Sequence, residues 1–177
     1  MSSGLTVRSD DNPKVSWLRR LTIGRNPRVT IVRAVILGLI TFVVFKTTLL
    51  PIRVTGISML PNYKDGRRNF INRLAYLNHP PRRGDVVGVR YAGPSLMLLK
   101  RVVGLPGERI GFSTGHVTVN GKSLDEPYPL WPSKWEREPV ELGPDEYFVV
   151  GDNRTMDIKD HTFGVAKRER ILGKILL

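Results

Sequence analysis

The chain has 177 residues, enough for one compact domain and a short additional segment. It has no cysteine, which excludes disulfides, thiol catalysis and cysteine-ligated zinc, and its three histidines (79, 116 and 161) are scattered, with no pair at metal spacing. The formal charge of +12 suits either a nucleic acid or an anionic bilayer, and much of the early excess precedes a hydrophobic run, which favours the bilayer.

Residues 1–28 are polar and basic, include Asp10 and Asp11, and read as a cytoplasmic tail. Residues 29–52, VTIVRAVILGLITFVVFKTTLLPI, read as one transmembrane helix. The uncharged centre, Ala34 to Phe45, is shorter than the ~20 residues that span a bilayer, but Arg33 and Lys46 at its ends can snorkel toward headgroups. The basic flank (Arg19, Arg20, Arg25, Arg28, Arg33) keeps the N-terminus cytoplasmic and places residues 53–177 outside the cell membrane.

Beyond Pro51, short apolar runs alternate with Gly, Pro and Asn turns: DVVGVRY, LMLLKRVVG, HVTVNGKSL and EYFVVGDN. This texture predicts a mainly β domain of antiparallel strands. Val117 to Ser123 reads as a hairpin turning at Asn120-Gly121, a pair that accepts positive φ at both positions. Pro127 to Pro139 reads as a long surface connection.

Three segments carry chemistry. In Gly56-Ile57-Ser58-Met59-Leu60-Pro61, a serine lies just past the membrane run, where a hydrolase working at the bilayer surface would hold a nucleophile. Gly56 permits a tight backbone path, and the Ser58 N–H is a candidate oxyanion donor. In Leu98-Leu99-Lys100-Arg101-Val102-Val103-Gly104, strand alternation puts Leu98, Lys100 and Val102 on one face. Apolar neighbours disfavour the ammonium, and a lysine brought from about 10.4 to roughly 7–8 can serve as a general base. In Tyr147-Phe148-Val149-Val150-Gly151-Asp152-Asn153-Arg154, a strand runs into a polar turn suited to holding the other two segments together.

Ser58-Met59-x-Pro61, Lys100 to Gly107 and Gly151-Asp152-Asn153-Arg154 resemble the successive boxes of type I signal peptidases. Arg83-Gly84-Asp85-Val86-Val87, Val119 to Lys122 and Asp125-Glu126-Pro127-Tyr128 resemble the stretches between them, in order, over residues 30–177. The resemblance implies antiparallel sheets of the signal-peptidase type and removal of signal peptides from exported preproteins, after small residues at −3 and −1. It implies Ser58 as nucleophile, Lys100 as general base and the Ser58 amide as oxyanion donor. Asp152, Asn153 and Arg154 are expected in support, and no metal or cofactor is required. Expected partners are preproteins and the lipid bilayer, not nucleic acid; a partner subunit is left open. Where many relatives add a serine hydroxyl to the oxyanion hole, this chain has Gly56.

After Arg154 the chain departs from that pattern. A serine three residues on, which orients the lysine, and an Asp-x-Arg pair are replaced by Asp157, Lys159 and His161. Asp157 is expected to accept a bond from the Lys100 ammonium, although a carboxylate there would raise the lysine pKa. Replacement ion pairs are expected between Asp160 and His161 or between Lys159 and Asp157. Alternative readings are another Ser/Lys processing protease, as in conjugation-pilus maturation, and a catalytically weakened membrane-tethered relative.

Overall fold

The structure is a computed structural model, and it describes residues 27–92, 96–128, 131 and 133–176. The tail at 1–28 falls almost wholly outside the described residues. The chain divides into two units, with the boundary between Phe45 and Lys46.

Helix α1 spans Pro27–Thr48. It begins at a proline, whose missing N–H costs nothing in a first turn, and carries Lys46 in its last turn. From Arg28 to Thr48 it is long and apolar enough to cross a membrane, with a mean hydropathy of 2.2 and no residue of that window buried. Its apolar residues cover all faces, as suits a lipid environment. The sequence placed the end of this helix at residue 52; it ends at Thr48, and Leu49–Arg53 form strand β1. Pro51 explains the difference, since its ring would break a helix interior but fits the edge of a sheet.

Among the described residues ten further strands follow. They are β2 (Arg68–Asn72), β3 (Val86–Ala92), β4 (Leu96–Gly104), β5 (Arg109–Ser113), β6 (His116–Val119) and β7 (Lys122–Ser123). The last four are β8 (Arg137–Glu141), β9 (Glu146–Val150), β10 (Gly164–Lys167) and β11 (Ile171–Leu176). A seven-stranded sheet has the order β1-β2-β11-β3-β4-β9-β10, and a four-stranded sheet the order β7-β6-β5-β8. All pairings are antiparallel. The β6–β7 turn is the expected one: Asn120 and Gly121 have φ of 52° and 80°, and Val119 pairs with Lys122.

Strand alternation on β4 divides its side chains between cores. Val102 joins Val87, Val89 and Val149, whereas Val103 joins Ile110, Phe112 and Phe148. Leu99 packs on a third cluster with Val54, Met59 and Val86. Pro127 to Pro139 is not the uniform surface loop expected. Strand β8 begins at Arg137, and Trp135 is buried, its indole N–H donating to the Met156 carbonyl at 2.9 Å. Pro139 is tolerated because β8 is an edge strand. The Trp135 ring stacks on Phe163 at 5.3 Å and meets Phe112 edge-on at 5.5 Å. Replacing it should therefore remove the centre of an aromatic core. Trp135→Ala is expected to destabilise the domain by about 3–5 kcal/mol, measurable by chemical unfolding of the full chain in detergent.

Candidate active site

The Ser58 segment leaves β1 through a tight, pinned loop. Val54 donates to the Arg67 carbonyl and Gly66 donates back to Val54, both at 2.8 Å. Gly56 adopts φ 96°, a left-handed conformation costly for any residue with a Cβ, and its N–H donates to Asp65 Oδ1 at 2.9 Å. Met59, 1% exposed, anchors the far side of Ser58 in the Val54–Val86 core. Ser58 itself is half-buried.

The turn after β9 joins this loop to the sheet. The Asn153 N–H donates to the Ser58 carbonyl and its side-chain amide donates to the Ile57 carbonyl, each at 3.0 Å. Gly151 fits against the same loop, since a Cβ there would lie 2.2 Å from the Ser58 carbonyl oxygen. Asp152 is fully buried and takes a two-pronged pair from Arg101, Nε to Oδ1 at 2.8 Å and a terminal nitrogen to Oδ2 at 2.5 Å. Asn62 donates to the same carboxylate at 2.8 Å. Arg154 is buried too, bonding the Gly151 carbonyl at 2.8 Å and pairing with Glu126 at 2.8 Å. Sequence reading anticipated the turn but not these partners. Asn62, Glu126 and Tyr128, whose ring lies 3.9 Å beneath the Arg101 guanidinium, are brought in only by the fold.

Lys100 sits on β4 opposite Val87. Arg101 pairs with Val150, which sets Lys100 at the level of Gly151, the residue that abuts Ser58. The lysine is 2% exposed. Burial pushes its amine down to about 8, overcoming the Asp152 carboxylate, which acts to raise it. Among the described residues no hydrogen bond joins Ser58 Oγ to Lys100 Nζ. In free enzymes such bonds are commonly long and tighten only with substrate bound.

Asp157 is not the carboxylate that acts on Lys100. It is exposed, and its side chain accepts the Lys159 N–H at 3.0 Å. That local turn satisfies the carboxylate in water, where it stays at lower cost than beside a buried amine. Neither expected replacement ion pair forms among the described residues. His161 turns inward instead, 3% exposed, its ring 5.0 Å from that of Trp135.

Two small cavities adjoin the site. Ser58, Gly56, Ile71, Leu98 and Leu99 help line one of about 100 Å³. Lys100, Leu98, Val149, Phe163 and Val165 help line one of about 70 Å³. Leu98 is common to both. Among the described residues, no group of three or more His, Asp or Glu is placed to hold a metal ion.

Residues 28–177 match the family model described as signal peptidase, peptidase S26. A probable signal peptidase I-2 of Synechocystis sp. is 34% identical over 175 residues, 94% of this chain and 75% of that protein. The signal peptidase I of Bacillus caldolyticus is 36% identical over 137 residues, 69% of this chain and 74% of that protein. A solved signal peptidase I of Enterococcus faecalis V583 aligns with a TM-score of 0.44 at 24% identity, over 54% of this chain and 97% of that one.

The buried ion pair beneath the site yields a direct test. Arg101→Ala strands the Asp152 charge in a site with 0% exposure. It should destabilise the folded chain by about 3–5 kcal/mol, read as a lowered unfolding midpoint, because an unpaired buried charge is left. Replacing both residues, Arg101→Met with Asp152→Leu, should recover much of that loss.

Proposed function

Because the chain belongs to the signal peptidase family, peptidase S26, whose members are serine endopeptidases, we propose that it cleaves signal peptides through a Ser58/Lys100 dyad. The observation that carries this reading is the lysine. An amine held near 8 by burial, at the level of the glycine that contacts the Ser58 carbonyl, has an appreciable neutral fraction at physiological pH.

In this reading neutral Lys100 takes the Ser58 hydroxyl proton as the Ser58 oxygen attacks the scissile carbonyl. The Ser58 N–H, which makes no hydrogen bond among the described residues, then donates to the oxyanion. With Gly56 two residues earlier, no hydroxyl from that position assists. The Lys100 ammonium passes its proton to the leaving amine, breaking the C–N bond and leaving an ester on Ser58. The regenerated amine next draws a proton from water as the water oxygen attacks the ester carbonyl; the bond from the acyl carbon to the Ser58 oxygen breaks, the ammonium returns its proton to that oxygen, and the new carboxyl end is released. The two small cavities beside Ser58 and Lys100, apolar where Leu98, Leu99, Val149 and Val165 line them, suit small substrate side chains, such as those at −1 and −3 of a signal peptide.

The family is membrane-anchored, and α1 fits an anchor by length and composition. We assign the basic N-terminal side to the cytoplasm and the β-rich unit to the outer face of the cell membrane. The bilayer would then hold the enzyme and its preprotein substrate in the same two dimensions. The charge excess serves this surface rather than a nucleic acid.

The decisive experiment incubates the detergent-solubilised full chain with a preprotein. Ser58→Ala and Lys100→Met should each lower cleavage by at least about 10³-fold while the chain stays folded. A folded variant of either kind that cleaves at the wild-type rate overturns the dyad. In the wild type, kcat/KM should rise with pH through an inflection near 8, as Lys100 loses its proton.

The same shift has a stability signature. The folded pKa is about 8 and the unfolded value about 10.5, so the unfolded chain binds more protons between them. Wild-type stability should therefore climb over that window by on the order of 3 kcal/mol relative to Lys100→Met, as read from unfolding midpoints.

A further inference from the structure

We infer that His161 is a positioning residue for Lys100, its uncharged imidazole supplying the acceptor nitrogen that aligns the amine with Ser58, directly or across one water. This rests on the Ser58/Lys100 reading and concerns a residue which that mechanism does not otherwise use.

His161 is 3% exposed, its ring is approached by the backbone of Thr162 and of His161 itself, and neither Nδ1 nor Nε2 has a side-chain hydrogen-bond partner among the described residues. A neutral imidazole carries one donor and one acceptor; the nearby backbone can answer the donor, and the acceptor nitrogen has no partner among the described residues. Buried polar atoms left in this condition in a native fold call for a specific explanation. Packing alone supplies none, because a phenyl ring would fill the same space without that cost.

Location supplies the explanation. Nε2 and Cε1 lie 2.6 and 2.7 Å from the point where a Cβ at Gly151 would stand. The Ser58 carbonyl oxygen is 2.2 Å from that same point, so the imidazole and the nucleophile's backbone meet at one residue. The β4–β9 register sets Lys100 at that level from the neighbouring strand. Thr162 and Phe163, which follow His161, line with Lys100 the cavity of about 70 Å³. That space exceeds what one water requires.

The ring cannot swing freely. Trp135 stands edge-on to it at 5.0 Å and Phe163 at 5.8 Å. The surrounding charges keep it neutral. Burial, then Lys100, then Arg154 push its pKa down to about 3. Asp152 acts on the lysine from the turn after β9, and Arg90 and Arg170 line the cavity beside Lys100. His161 thus remains an acceptor wherever the amine titrates. A carboxylate could also orient the amine but would stabilise the ammonium more strongly and oppose its deprotonation.

The test follows the His161 ring nitrogens by ¹⁵N NMR in the full-length protein in detergent, through the pH range around 8. In the wild type one ring nitrogen should shift with the Lys100 inflection, and the same trace should be flat in Lys100→Met. A flat wild-type trace, or a shift that persists in Lys100→Met, overturns the assignment. Kinetics give a second arm. His161→Phe should lower kcat at least about tenfold with KM unchanged, and move the pH inflection lower as the ammonium loses its acceptor. His161→Gln, which keeps an acceptor, should restore most of kcat and the inflection. A folded Phe variant with wild-type kcat and inflection overturns the assignment, as does a folded Gln variant no better than Phe. Ser58→Ala separates the two readings: if it abolishes cleavage while the His161 trace is flat, the dyad stands and the role of His161 falls.

Discussion

Two hydrogen bonds from Asn153 to the carbonyls of Ile57 and Ser58 connect parts of the chain some ninety-five residues apart, and the rest of the site is arranged around them. They act on backbone carbonyls, leaving the Ser58 hydroxyl and N–H unengaged. The residues beside Asn153 each face a different element. Gly151 lets the Ser58 loop approach, Asp152 fastens the turn to β4 through Arg101, and Arg154 fastens it to the Tyr128 segment through Glu126. Tyr128 closes the circuit, donating to Glu126 at 2.7 Å and stacking on Arg101 at 3.9 Å. Every polar group in this base is answered, which is what allows so much charge below the protein surface.

That base also decides the electrostatics of the lysine. A bare carboxylate near a buried amine would hold its proton, since the attraction of opposite charges is strong in a medium of low polarizability. Asp152 is such a carboxylate, but its oxygens are committed to Arg101 and Asn62. Desolvation then outweighs the residual attraction, and the amine settles near 8. Asp157, set in water with a backbone partner of its own, adds nothing to that balance.

Much of this was legible beforehand where local chemistry decides structure. The Asn120-Gly121 turn, the apolar runs of β3, β4 and β9, and the side-chain alternation around Lys100 follow from backbone preferences and period-two patterning. Strands β1 and β8 were obscured by Pro51 and Pro139, which read as breakers until it is known that each lies on a sheet edge. The inward turn of His161 was hidden for a different reason. Its cage comes from Trp135 and Phe163, and Trp135 lay in a stretch whose polar and proline content suggested surface. The partners of Asp152 and Arg154 are equally non-local, so no window of sequence around that turn contains them.

Strand β4 presents adjacent cations to opposite faces, Lys100 toward the cavity with Val149 and Phe163, and Arg101 toward Asp152. A slip of a single residue would exchange them, delivering to the cavity a guanidinium that never gives up its proton. Irregularities interrupt the ladder on either side of this pair, between Arg90 and Ala92 on β3 and between Val102 and Gly104 on β4. Such bulges lock the alignment of neighbouring strands. In the proposed mechanism, which of two basic side chains meets a substrate is thus decided by the stitching of the sheet, well away from any group that would touch the bond to be broken.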